Sequence, residues 1–92
     1  MAKHLRITGL VQGIGYRAAF EAEALGLGLT GWVRNRRDGS VEAVVYGDAE
    51  AMDRIIQWSQ RGPRGAEVEA VIVDDVDDAL APSHAFEMRP TE

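Results

Sequence analysis

From about Lys3 to Thr8, Leu5 and Ile7 alternate with His4, Arg6 and Thr8. Apolar residues at every second position mark a strand with one solvated face. Three glycines between Gly9 and Gly15 predict a turn. The Ala- and Glu-rich stretch from Tyr16 to Leu25 predicts a helix. Phe20, Ala24 and Leu27 lie at helical spacing on the side that would meet a sheet, and Gly26 and Gly28 end the helix. A second strand is expected from about Leu29 to Arg36, a hairpin turn at Asp38-Gly39, and a third strand from about Ser40 to Tyr46. Gly47-Asp48 breaks that strand. Asp48 is placed to cap a second helix with Met52, Ile55, Ile56 and Ser59 on one stripe, stopping at Gly62-Pro63. A fourth strand is expected from about Glu67 to Asp74, with Val68, Ala70 and Ile72 on one face. An acidic loop from Asp74 to His84 then leads to a short last strand, Ala85 to Met88.

The order βαββαβ plus a short C-terminal strand, without internal repeats, predicts an α+β fold. Its simplest form is a ferredoxin-like α/β sandwich, an antiparallel sheet with both helices on one face. A β-α-β crossover makes strands one and two point the same way. The first loop and the end of strand two are therefore expected at one edge of the domain, which brings Arg17 and Asn35 together.

Composition narrows the picture. Ninety-two residues are expected to form a single domain, residues 1–92, with one shared core. Without cysteine, stability must come from packing, not disulfides or thiolate metal sites. No apolar run is long enough to cross a bilayer. The Met1–Arg6 stretch has no signal-peptide core behind its positive charges, so a cytoplasmic location is the expectation. The net charge is −5 and there is one lysine, which argues against nucleic-acid and membrane partners. A small anion remains a suitable ligand, because a few oriented donors outweigh a modest net charge at short range.

Candidate chemistry sits in two segments. In Gly9-Leu10-Val11-Gln12-Gly13-Ile14-Gly15-Tyr16-Arg17, two glycines permit a backbone curl whose N–H groups point inward. A helix begins directly afterwards, and its N-terminus attracts anions. Arg17 in the first turn opposes the helix dipole, a cost that a bound dianion would offset. The alternative is a plain glycine turn with a solvent-exposed arginine, and the glycines alone favour it. In Thr30-Gly31-Trp32-Val33-Arg34-Asn35, alternation places Gly31, Val33 and Asn35 on one face and Trp32 and Arg34 on the other. Asn35 at a strand end presents an amide that both donates and accepts hydrogen bonds, or else serves the turn that follows.

Together the two segments resemble the acylphosphatases. That family carries Gly-x-Val-Gln-Gly-Val-x-(Phe/Tyr)-Arg, then Gly-(Trp/Phe)-Val-x-Asn and Asp-Gly-x-Val-Glu. Here these read Gly9 to Arg17, Gly31 to Asn35, and Asp38-Gly39-Ser40-Val41-Glu42. The ending Phe86-Glu87-Met88-Arg89 is similar to the family's last strand, so the resemblance spans essentially the whole chain. Ile14 replaces the usual valine, and Leu10 stands where a polar or basic residue is common. The resemblance implies hydrolysis of the carboxyl–phosphate bond of small acyl phosphates, without a cofactor or metal. It implies phosphate binding by the Arg17 side chain and the backbone of Gln12, Gly13, Ile14, Gly15, Tyr16 and Arg17, with Asn35 orienting the attacking water. Inorganic phosphate or sulfate would then compete with substrate, and a monomer is expected. A carboxylate is a good leaving group, so a site that positions and neutralises charge without a strong acid is adequate.

Other residues read more plainly. His4 and His84 are expected at the surface, and Arg36 and Arg37 to face solvent. Asp74-Asp75-Val76-Asp77-Asp78 lacks the glycine and closing glutamate of a calcium loop and reads as a solvated acidic loop. Trp32 and Trp58 are expected to pack against the sheet or a helix edge. Two other functions compete: a phosphate-sensing module of the same fold, separable only by turnover, and an RNA-binding domain. The second lacks stacking aromatics on its central strands, Tyr46 excepted. The family's domain also begins a large hydrogenase-maturation carbamoyltransferase. This chain, with nothing after its last strand, reads as a stand-alone enzyme.

Overall fold

Leu5 and Ile7 are fully buried and Arg6 is exposed, so the first strand divides its faces as its alternation demands. The structure is a computed structural model describing residues 1–82 and 84–92. Its elements are β1 (Ala2–Leu10), α1 (Tyr16–Gly26), β2 (Thr30–Asn35), β3 (Val41–Tyr46), α2 (Ala49–Arg61), β4 (Glu67–Val76) and β5 (Phe86–Arg89). A 3-10 turn, Asp78–Leu80, lies between the last two strands. The fold is a ferredoxin-like α/β sandwich. Phe20 and Ala24 of α1 and Met52 and Ile55 of α2 share one core with Leu5, Ile7, Val33, Val41 and Val45, which puts both helices on one face. Each large apolar side chain buried there contributes roughly 1.5–3 kcal/mol. Asp48 caps α2 as expected, its carboxylate accepting from Ala51 N–H at 2.8 Å. No helix among the described residues is long and apolar enough to cross a membrane.

The strands run β4-β1-β3-β2-β5 across the sheet. β3 is antiparallel to both β1 and β2, so those two run parallel to each other. The sheet is mixed, not antiparallel throughout, because β5 lies parallel to β2. The cause is topological. β4 occupies the edge beside β1, and the chain crosses to the other edge without running back along the sheet. β5 then runs opposite to β4, in the direction of β2.

Three local expectations are corrected. Gly9 and Leu10 belong to β1, not to the turn. Across from them β4 carries a bulge: Thr8 pairs with Ala70 and Gly9 with Val68, leaving Glu69 as an extra residue. The bulge resets the alternation, so Val68, Val71 and Val73 pack against the core, while Ala70 and Ile72 are exposed. Gly9 has φ +119°, and a Cβ there would lie 2.2 Å from the Glu67 carbonyl oxygen. Finally, Asp74 and Asp75 both lie within β4, which runs past the expected end at Asp74 to Val76 where the acidic loop is expected to open. They lie across from His4 and Lys3, and Lys3 forms an ion pair with Asp75. Ser83, within the stretch expected as loop, lies outside the described residues.

On the face away from the helices, a chain of polar contacts crosses the sheet. His4 is not a free surface residue: its Nε2 lies 2.7 Å from Glu42 Oε2. Arg34 Nε donates to Glu42 Oε1 at 2.6 Å. Trp32 packs between two guanidinium groups, those of Arg34 and Arg89, each 4.7 Å from its ring centre. Burial by itself would raise the Glu42 carboxyl. Hydrogen bonds from His4 and Arg34, with the Arg34 charge, outweigh it and hold the group below its ordinary value of 4.5.

Gly9→Ala is expected to destabilise the fold by roughly 2–4 kcal/mol, because the added methyl meets backbone that cannot retreat. Urea denaturation measures it, and a loss within experimental error would show that the bulge tolerates a side chain. Glu42 contributes stability that is fully present above pH 4.5 and is lost as pH falls through its lower folded value. Unfolding free energy should therefore fall less steeply with acid in Glu42→Gln than in the parent chain. Parallel pH curves would rule out this linkage.

Candidate active site

The loop after β1 is anchored by Val11, which is buried in the core, and rises to solvent at Gly13 and Gly15. Both glycines have φ +79°, a left-handed conformation that other residues adopt only with strain. Gly15 caps α1 with its backbone alone, without a side-chain hydrogen bond. The first intrahelical bond runs from Ala19 N–H to the Gly15 carbonyl at 3.0 Å. The N–H groups of Tyr16, Arg17 and Ala18 precede it and point out of the helix end, where they favour an anion. The first turn of α1 contains no acidic residue to compete.

Gln12 fixes the loop to a distant part of the chain. Its Nε2 donates to the carbonyl oxygens of Arg36 (2.7 Å) and Ser40 (2.8 Å) in the β2–β3 hairpin. That hairpin is braced by Asp38, whose Oδ1 accepts from Ser40 N–H (2.9 Å) and Ser40 Oγ (2.6 Å). The hydrogen bonds from Ser40 are what hold the exposed Asp38 carboxyl below its ordinary pKa. Asn35 ends β2 beside this hairpin. On one side its backbone pairs with Val41, and on the other its carbonyl accepts from Glu92 N–H at 3.0 Å. The Asn35 backbone is thus held on both flanks.

Arg17, half-buried, donates from Nη1 to the Arg89 carbonyl at 2.8 Å. A guanidinium carries five N–H donors, so this one bond leaves others of Arg17 unused. Gln12, Gly13 and Gly15 from the loop, Arg17 and Ala18 from α1, Asn35 from β2 and Met88 from β5 line one cleft of about 280 Å³, floored by Val11 and Tyr16. No carboxylate is among the lining residues, so the cleft presents donors to an anion without a competing negative charge.

Tyr16 belongs to the core as much as to the cleft. Its ring is 1% exposed and packs against Phe20 and Trp58. Its hydroxyl donates to the Ser59 carbonyl at 2.7 Å, tying α1 to α2. Burial pushes the phenol up to about 12, so it remains protonated at neutral pH and is turned away from the cleft.

Of the residues singled out from sequence, Gln12, Gly13, Gly15, Tyr16, Arg17 and Asn35 come together at this cleft. Ile14 does not line it and sits near Gly65 instead. Sequence reasoning missed the Gln12 side-chain strap, the Arg89 carbonyl behind Arg17, and Met88. Trp58 packs at the helix edge as expected, while Trp32 is clasped by arginines on the far face. Arg36 approaches Glu42 at 3.4 Å, and Arg37 is exposed.

A ferredoxin-like sandwich with a donor-lined cleft where β1 and β2 end defines the class of molecule. The sequence profile of the acylphosphatase family matches residues 3–88. An acylphosphatase from Azoarcus sp. (strain BH72) is 50% identical over 90 residues, covering 98% of this chain and 90% of the relative. The solved structure of an acylphosphatase from Coxiella burnetii superposes with a TM-score of 0.88 at 30% identity, over 96% of this chain and 90% of that one. An acylphosphatase from Bacillus subtilis gives 0.85 at 28% identity, over 97% and 99%. This chain belongs to the acylphosphatase family and is an enzyme of that class, and membership implies a small acyl phosphate as substrate.

Tyr16→Phe is expected to cost about 1 kcal/mol of stability, for one buried hydrogen bond, and to leave turnover near that of the parent. Gln12→Ala should cost a similar amount yet weaken phosphate binding, because the loop loses its tie to the hairpin. Denaturation and phosphate inhibition measured side by side separate the two. Lost turnover in Tyr16→Phe would mean that the phenol takes part in the chemistry.

Proposed function

We propose that this chain hydrolyses the carboxyl–phosphate bond of small acyl phosphates without a metal, with Arg17 and the loop backbone from Gln12 to Arg17 receiving the phosphoryl group. The observation that carries this reading is the meeting of Arg17 and Asn35 in one cleft beside the two left-handed glycines. The loop and helix-end N–H groups, with the Arg17 guanidinium, neutralise the phosphoryl oxygens in the ground state and as charge shifts in the transition state. Asn35 holds a water in line with the scissile bond. The water oxygen forms a bond to phosphorus as the bond to the carboxyl oxygen breaks and the carboxylate departs with its electron pair. Asn35 is no base at neutral pH, so the water's proton passes to a phosphate oxygen or to solvent. The tied-back Tyr16 phenol is not the acid, and a carboxylate leaving group needs none. A monomer acting in the cytoplasm completes the reading.

Purified protein should hydrolyse acetyl or benzoyl phosphate at a rate unchanged by chelator, with inorganic phosphate or sulfate as competitive inhibitor. Activity abolished by chelator and restored by a divalent metal would refute the metal-free mechanism. Arg17→Ala should damage KM and kcat together, and Arg17→Lys should recover only part, since an ammonium cannot reproduce a planar fork of donors. Asn35→Ala should lower kcat by roughly a hundredfold with KM closer to normal, the signature of a lost positioning group. Near-parental kcat in folded Asn35→Ala would remove the water-positioning role and favour a phosphate-binding module.

A further inference from the structure

The cleft offers more than an anion site, and one wall is left unused by the chemistry above. Met88 and Ala18 are apolar residues that line it. Met88 lies on the same side of β5 as Phe86, two residues earlier. Phe86 is buried and belongs to the core, whereas Met88 is 45% exposed and stands outside the core cluster. Its position is set by the parallel register, which places Met88 beside Val33. Val33 precedes Asn35 by one repeat of the strand, so Met88 sits one strand over and about 7 Å back from the Asn35 position. On the helix side, Ala18 directly follows Arg17. The apolar wall therefore flanks both groups assigned to the phosphoryl centre.

We propose that Met88 is a specificity-determining residue, and that with Ala18 it receives the acyl part of the substrate and favours bulky apolar acyl phosphates, aromatic ones included, over acetyl phosphate. The inference rests on the hydrolase reading given above. In an acyl phosphate the acyl carbon is joined to phosphorus through a single oxygen. Once the phosphoryl group is held by Arg17 and the loop, the acyl group must lie against a wall of the same cleft. A volume of about 280 Å³ is close to the lower end of ligand-pocket sizes, roughly 300 Å³, and suits a small substrate with one ring. A thioether on an unbranched, rotatable side chain adapts to rings and alkyl chains alike and is attracted to ring edges. Burying an exposed methionine against a ligand ring removes apolar surface of both partners from water, a gain that acetyl phosphate is too small to collect.

The test compares kcat/KM for benzoyl phosphate and acetyl phosphate in the full chain and in Met88→Ala, Met88→Gln and Met88→Leu. The benzoyl-to-acetyl ratio should fall about fivefold to tenfold in Met88→Ala and Met88→Gln, mainly through KM for benzoyl phosphate, and should stay near the parental ratio in Met88→Leu. Inhibition by inorganic phosphate, which has no acyl group, should move less than the ratio does. Acetyl phosphate turnover in the same samples reports whether each variant is folded. An unchanged ratio in Met88→Ala, or equal loss on both substrates, overturns the assignment to Met88 while leaving the hydrolase reading intact. Absence of hydrolysis of either substrate by the parent chain overturns both.

Discussion

β3 is hydrogen-bonded antiparallel to β1 on one side and to β2 on the other, and this double pairing governs where everything else lies. It forces β1 and β2 to point the same way, so the loop that leaves β1 and the hairpin that leaves β2 emerge at one end of the sheet. Gln12 makes the connection physical, since its amide bridges the loop to two carbonyls of the hairpin. β5 adds the third wall. Lying parallel to β2, it delivers Met88 and the Arg89 carbonyl to that same end.

Within this frame, three of the side chains at the cleft, those of Gln12, Arg17 and Asn35, follow closely on residues sunk in the core. Val11 precedes Gln12, Tyr16 precedes Arg17, and Val33 lies two residues before Asn35, all three fully buried. Fixing a long side chain costs conformational entropy. The buried neighbours and the secondary structure meet part of that cost during folding, before any ligand arrives. The opposite face contributes as well. Glu42 holds Arg34, Arg34 and Arg89 clasp Trp32, and the Arg89 carbonyl holds Arg17. A run of contacts on the solvated face thus ends at the guanidinium in the cleft.

Much of this was readable in advance where the information is local. The alternation of Leu5 and Ile7, the spacing of Phe20, Ala24 and Leu27, and the Asp48 cap all appear in the structure as expected. The motif residues Arg17 and Asn35 were recognisable from type and order, and the crossover rule predicted that they would meet. Reasoning failed where one strand's conformation depends on its neighbour. The faces of β4 are set by a bulge opposite Gly9, and Val68, Ala70 and Ile72 carry no local sign of it. His4 looked like a surface residue because Glu42, its partner, is far away in sequence. β4 runs one repeat of the alternation past Asp74, and the acidic residues there carry no local sign of Lys3, which lies across from Asp75.

The sequence by itself determined the order of the elements, the family, and that Arg17 and Asn35 would meet at one edge with the loop that begins at Gln12. Periodicity, caps and glycines act over a few residues, and a motif is a statement of residue type and order. Only the tertiary structure decided that β5 runs parallel to β2, that Gln12 straps two loops together, that Tyr16 turns its hydroxyl to Ser59 and that Met88 is left open beside the cleft. These depend on which strands become neighbours and in what register. That choice is made by the shared core, to which residues distant along the chain all contribute, and no short stretch of sequence encodes it.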